Sequence, residues 1–204
     1  MLTAEEALER LKTGNLRFVQ GQTNHQRQLT HQERAEMAQT QEPFAIVLGC
    51  SDSRVPAEMV FDQGLGDLFV IRVAGNIVAP SQVGSVEFAA ESFHCPLVIV
   101  LGHTHCGAIE STIEALANPD QPPSVNLMSI VNRVRPSVEI LMQTELKHDL
   151  KKLCGHAVRS NVFASVNQLR HGSAVLESLI AKGQLKIVGA EYSLETGEVT
   201  FLDF

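Results

Sequence analysis

Four short runs of apolar residues, each bounded by turn residues and separated by stretches of helical periodicity, constrain the fold of this chain more than any other feature. They are Phe44 to Leu48, Leu68 to Val73, Leu97 to Leu101 and Leu185 to Ala190. Runs that are apolar almost continuously, broken here only by Arg72 and Lys186, and not at alternate positions, belong to strands buried on both faces. Helical patterns lie between them, at roughly 81–93, 108–117, 125–146 and 156–181, the last broken at Gly172. This alternation predicts an α/β fold, a mostly parallel central sheet of about four parallel strands flanked by helices. Between Tyr192 and Phe201 the turn residues Glu195-Thr196-Gly197 separate two strand-like runs, which predicts a terminal hairpin and an antiparallel C-terminal edge strand.

The amino-terminal stretch reads differently. Thr3 and Glu6 have the spacing of a capping box, and Ala4, Ala7, Leu8, Leu11, Phe18 and Val19 recur at helical spacing. Gly14 interrupts that pattern and predicts two helical pieces. Residues 21–43 are polar and end at Pro43; a loop with a short helix over His31 to Ala38 is expected. The organisation is one domain over 1–204, with an N-terminal helical arm at 1–40 and an α/β core at 41–204. A chain of 204 residues buries roughly 70% of its unfolded surface, so it needs neither a disulfide nor a metal in order to fold.

Charge narrows the partners. Lys+Arg is 16 against Asp+Glu 23, a formal net charge of -7, which argues against nucleic acid and anionic membrane surfaces, both of which select basic proteins. Met1 to Asn15 has early acids and no apolar core of the secretory type, and the longest uncharged stretch, Ser92 to Ile109, carries Pro96 and three histidines. The expectation is a soluble, cytoplasmic protein whose four cysteines, Cys50, Cys95, Cys106 and Cys154, are reduced thiols.

Two strand ends carry the chemistry. The first apolar run continues into Gly49-Cys50-Ser51-Asp52-Ser53-Arg54, the third into Gly102-His103-Thr104-His105-Cys106-Gly107. In open α/β sheets ligands bind beyond the carboxyl ends of the strands, so if these two strands are neighbours, Cys50, His103 and Cys106 converge. Two thiolates and an imidazole suit zinc, and a Cys₂His set with a vacant fourth position is a catalytic pattern. His103 and Cys106, three apart, share one side of a helical first turn, and Gly102 and Gly107 permit tight backbone around an ion. Asp52 offers a fourth ligand, so a closed, structural site is also open at this level. Against it stands Arg54: two residues apart in an extended segment, Asp52 and Arg54 point the same way and can pair, which would hold the carboxylate off the metal as an orienting group.

Cys50 to Arg54 together with His103 to Gly107 resembles the signature of the β-class carbonic anhydrases. Leu11 to Phe18 is similar to that family's N-terminal helix, Leu68 to Asn76 to its second strand and following turn, and Gly84 to Phe88 to the start of the next helix. The resemblance implies reversible hydration of carbon dioxide to bicarbonate and a proton, by attack of a zinc-bound hydroxide. It implies one Zn²⁺ per chain on Cys50, His103 and Cys106, with Asp52 a fourth ligand in a closed state, and Asp52 with Arg54 as the catalytic dyad. Substrate contacts follow by the same likeness: Gln41 as an amide donor, Phe69 as an apolar wall and Gly107 through its backbone N–H. The usual assembly of the family, a dimer with sites close to the subunit interface or a tetramer, is implied as well.

Departures exist. Phe88 stands where plant-type members often carry tyrosine, Val73 where asparagine is common and Ala74 where a larger apolar residue is common. The chain has no tryptophan, so a bicarbonate regulatory site of the kind that uses one is not expected. Cys95, Cys154 and the histidines other than His103 and His105 read as packing or surface residues, and Gly64-Leu65-Gly66 lacks the third glycine of a dinucleotide loop. Two rival functions keep the same ligands: a hydrolase of carbonyl sulfide or carbon disulfide, and a non-catalytic zinc-stabilised binding module. The module predicts Asp52 as a permanent ligand and Arg54 unpaired.

Overall fold

In a computed structural model of the chain, which describes residues 2–24 and 30–202, five strands form one sheet. They are β1 (Ala45–Gly49), β2 (Leu68–Arg72), β3 (Leu97–His103), β4 (Lys186–Tyr192) and β5 (Val199–Leu202), in the spatial order β2-β1-β3-β4-β5. The first three pairings are parallel and the last, β4 with β5, is antiparallel. From β1 the chain moves outward to β2 and then crosses back to β3 on the other side of β1. That reversal opens a crevice at the carboxyl ends of β1 and β3, the position where open α/β sheets bind ligands.

Every residue of β1 and β3 is buried, and successive side chains face opposite layers. Ile46, Leu48, Val98 and Val100 pack into one cluster with Val86 and Ala89 of α4 (Pro80–Ser92), Val162 and Leu169 of α7 (Leu150–His171), and Leu176 of α8 (Ala174–Ala181). Val47, Leu97, Ile99 and Leu101 face the other layer, against Ala7 and Leu11 of α1 (Ala4–Val19) and Val60 of α3 (Ala57–Val60). A third cluster caps the carboxyl end of the sheet. It joins Ile109 and Ile113 of α5 (Gly107–Ala117), Val134 and Val138 of α6 (Val125–Glu139) and Leu153 and Val158 of α7 to Cys50 and Cys106. The short α2 spans His31–Met37.

Some local expectations need correction. Helix α1 is continuous through Gly14, with the Thr3–Glu6 capping box formed as the spacing predicts. Gly14 is a contact, not a break: a Cβ there would lie 1.8 Å from the Phe61 carbonyl oxygen. The helix over 125–146 ends at Glu139 and is followed by two 3₁₀ turns, separated by Thr144, which is extended (φ −99°, ψ 176°) and caps the second with its side chain. The long final helix starts at Leu150, where Asp149 accepts from the Lys152 N–H, and it does break at Gly172. His25 lies outside the described residues. Among the described residues, no helix is long and apolar enough to cross a membrane.

Candidate active site

Parallel pairing of β1 with β3, from Ile46 opposite Val98 to Gly49 opposite Leu101, brings the two strand ends side by side. Cys50 follows β1 directly, His103 closes β3, and Cys106 is the residue before α5. Their ligand atoms all lie within 4.8 Å of one another, and the three residues are 5%, 0% and 2% exposed. The Nδ1–H of His103 donates to the Thr104 carbonyl at 2.8 Å, which leaves its Nε2 lone pair buried without a hydrogen-bond partner. A buried polar nitrogen left unpaired is unfavourable by about 1–3 kcal/mol unless something else uses it. Two thiols and one orphaned imidazole nitrogen are the donor set of a metal-binding cluster, and they fit a tetrahedral dication with one position to spare.

The electrostatics agree. The Cys106 thiol, with help from His103 and the Gly75 N–H, pulls the Cys50 thiol well below its usual pKa, whereas the same contact and burial push Cys106 upward. A dication held between them would favour the thiolate form of both. Burial disfavours the charged His103 ring, but the Cys50 thiolate, the Thr104 carbonyl and the Asp52 carboxylate together hold its pKa above the ordinary value.

Asp52 is turned towards Arg54. Arg54 donates from Nε to Oδ1 at 2.9 Å and from Nη2 to Oδ2 at 2.8 Å, and its own backbone N–H adds a third bond to Oδ1 at 3.0 Å. This fork holds the Asp52 carboxyl far below the usual carboxylate range. Oδ2 remains 4.0 Å from His103 Nε2. The segment is braced by Arg72 at the end of β2, which donates to the carbonyls of Cys50 at 2.9 Å and Asp52 at 2.5 Å.

A model of the carbonic anhydrase family matches residues 45–199, the stretch that carries both strand ends and reaches the first residue of β5. The chain belongs to that family. It is 41% identical over 193 residues to a carbonic anhydrase of Mycolicibacterium smegmatis, covering 95% of this chain and 90% of the relative. To carbonic anhydrase 2 of Mycobacterium tuberculosis it is 38% identical over 197 residues, with 97% and 92% covered. The solved structure of the β-carbonic anhydrase CcaA superposes with a TM-score of 0.77 at 26% identity, covering 96% of this chain and 95% of that one. The chain is thus an enzyme of the β class of carbonic anhydrases.

Within this carbonic anhydrase fold, the remaining residues singled out in the sequence are not all brought to the cluster. Gly107 is: it opens α5 directly after Cys106. A Cβ on it would meet no residue of this chain within 4 Å, whereas one on Gly102 would lie 2.6 Å from Val162 Cγ2. Gln41 lies before the amino end of β1, beside a cavity lined by Arg10, Phe44, Phe93 and Pro96. Five strand residues at about 3.3 Å each separate that end from Cys50. Phe69 pairs with Ile46 in register, three residues before Arg72, and its ring lies 6.2 Å from Phe88 and 6.1 Å from Phe93. Other contacts were not legible beforehand. Asn161 and Ser165 of α7 bond the carbonyls of Gly75 and Asn76, and Glu195 bonds Thr104 and His105. Their partners lie 86 to 91 positions away, a distance over which no periodicity in sequence reports.

Proposed function

We propose that the chain catalyses the reversible hydration of carbon dioxide to bicarbonate and a proton, with one Zn²⁺ held by Cys50, His103 and Cys106. The observation that carries this reading is the buried His103 Nε2, unpaired and gathered with two thiols, while Arg54 holds the neighbouring carboxylate aside. Bound zinc supplies the means to deprotonate water near neutral pH. The residues of the chain do the rest. Asp52 Oδ2, fixed by Arg54, accepts a hydrogen bond from the attacking water and aims its lone pair at the substrate carbon. The Gly107 N–H, at the positive end of α5, faces developing negative charge on the substrate oxygens. The apolar cluster of Ile109, Val134 and Val158 behind the ligands excludes bulk water from the far side.

Gln41 and Phe69 enter this reading through a second copy of the chain. Both lie towards the amino end of β1 and β2, and β2 is an edge strand beside Phe88, which is 54% exposed. A dimer joined along that edge would set them against the partner's metal centre, Gln41 as an amide donor and Phe69 as an apolar wall. The bidentate Asp52–Arg54 pair favours an enzyme over a zinc-stabilised binding module, which needs Asp52 on the metal.

Cys106→Ala tests the reading. The variant is expected to keep its fold, to bind less than a tenth of the zinc of the parent by elemental analysis, and to lose CO₂ hydration. Full zinc content with full activity would overturn the ligand assignment.

A further inference from the structure

Glu195 lies in the turn that joins β4 to β5, far from the metal ligands in sequence, yet both of its carboxylate oxygens engage the short linker between His103 and Cys106. Oε2 accepts the Thr104 hydroxyl at 2.8 Å, and Oε1 accepts His105 Nε2–H at 2.7 Å. The Thr104 hydroxyl in turn accepts the Leu194 N–H at 3.0 Å, and the Thr104 N–H donates to the Tyr192 carbonyl at 3.0 Å. The linker is clamped to the hairpin at four points.

We propose that Glu195 is a positioning residue of the metal centre, resting on the assignment of Cys50, His103 and Cys106 as its ligands. Two contacts lead from the clamp inward. The Thr104 carbonyl orients the His103 ring through Nδ1, and so decides which nitrogen is left for a metal. The His105 carbonyl accepts from Arg54 Nη2 at 3.3 Å, so the same linker touches the arginine that restrains Asp52. Between them His105 sits at φ +54°, a left-handed conformation that is uncommon and strained for a residue with a Cβ. Glu195 braces the linker from outside the cluster. Its carboxyl, drawn down to about 2 by the Thr104 hydroxyl and then by His105, is ionised whenever the protein is folded at ordinary pH.

An exposed ion pair contributes little to global stability, and the Glu195 side chain is 54% exposed. Its effect is instead on geometry. Groups that orient metal ligands from the second layer change metal affinity by roughly 10- to 100-fold when removed. Removing this carboxylate opens no cavity in the core, so the variant folds.

Zinc affinity is measured by competition with a chromophoric chelator, and the visible spectrum of the cobalt-loaded protein is recorded, for the parent, Glu195→Ala and Glu195→Gln. Glu195→Ala is expected to bind zinc roughly 10- to 100-fold more weakly and to shift the cobalt bands, with the melting temperature of the metal-free protein unchanged. Glu195→Gln keeps an acceptor towards Thr104 and an amide towards His105, and is expected to recover most of the affinity and the parental spectrum. A Glu195→Ala protein with parental zinc affinity and an unaltered cobalt spectrum overturns the role of Glu195 while the ligand set stands. A parent that binds neither metal overturns both, and so separates the two failures.

Discussion

Asn161, in the middle of α7, donates its side-chain amide at 2.8 Å to the carbonyl of Gly75, whose own N–H reaches the Cys50 sulfur at 3.3 Å. Asn161 is 2% exposed, so a helix on one side of the sheet holds the turn whose Gly75 N–H reaches the Cys50 sulfur at the sheet's end. Gly75 takes φ +72°, where a side chain is strained, and a Cβ on it would stand 3.1 Å from Ala108 Cβ.

Asn161→Ala leaves the Gly75 carbonyl buried and unbonded. The expected result is a loss of about 1–3 kcal/mol in unfolding free energy, measured by urea denaturation of the metal-free protein, together with faster zinc release to a chelator. Unchanged stability would mean that the turn keeps its place by packing alone.

Arg54→Ala removes both fork bonds on Asp52 and the contact with the His105 carbonyl. The Arg54 side chain is 56% exposed, so stability should change by less than about 1 kcal/mol. Turnover should fall by about a hundredfold or more, since a misplaced group at a reacting centre has effects of that size. Stopped-flow CO₂ hydration beside a thermal melt reads both quantities, and a variant within threefold of the parent rate would remove Arg54 from the mechanism.

The pH dependence follows from the direction of the Asp52 shift. Arg54 lowers its folded pKa below the ordinary 3.8, so its contribution to stability is present at every pH above that value and is lost only as pH falls through the depressed one. Asp52 is therefore ionised across the working range, and activity should rise from pH 6 into mildly alkaline solution as the attacking water deprotonates. If Cys50 and Cys106 hold zinc as thiolates, that midpoint is expected above the ~7 of all-imidazole zinc sites. Carboxyl carbon NMR of Asp52 should show no titration down to about pH 3; a midpoint near 4 would contradict the strength of the fork.

Gly102→Ala drives a methyl group against Val162 at 2.6 Å and Val158 at 3.2 Å. Overpacking of this kind destabilises by about 1–3 kcal/mol, and the strain falls on the residue beside His103. The double variant with Val162→Ala should regain part of the loss in a melting experiment. Additive losses would place the cause outside that contact.

Much of the centre was legible in the chain itself. Two fully apolar runs, each ending in glycine and then a cysteine or histidine, required a doubly covered sheet with its chemistry at the carboxyl end of the strands, because side-chain periodicity and strand polarity are local properties. The residue types of the His-x-x-Cys step and the Asp52–Arg54 pair were legible, but not their local geometry. His103 closes β3 and Cys106 caps α5, with His105 at φ +54° between them instead of a helical turn, and Asp52 meets Arg54 across a turn closed by the Val55 N–H on the Asp52 carbonyl at 3.0 Å instead of along an extended segment. Tertiary structure alone decided the rest. It made β1 and β3 neighbours, with β2 outside; it left Gln41 and Phe69 towards the end of the sheet opposite Cys50; it brought Asn161 to the Gly75 carbonyl and Glu195 to Thr104 and His105. It also turned Gly14 from a presumed helix break into the point where α1 meets the Phe61 carbonyl. These choices depend on which distant surfaces fit when the core closes, and packing between segments far apart leaves no repeating pattern along the chain.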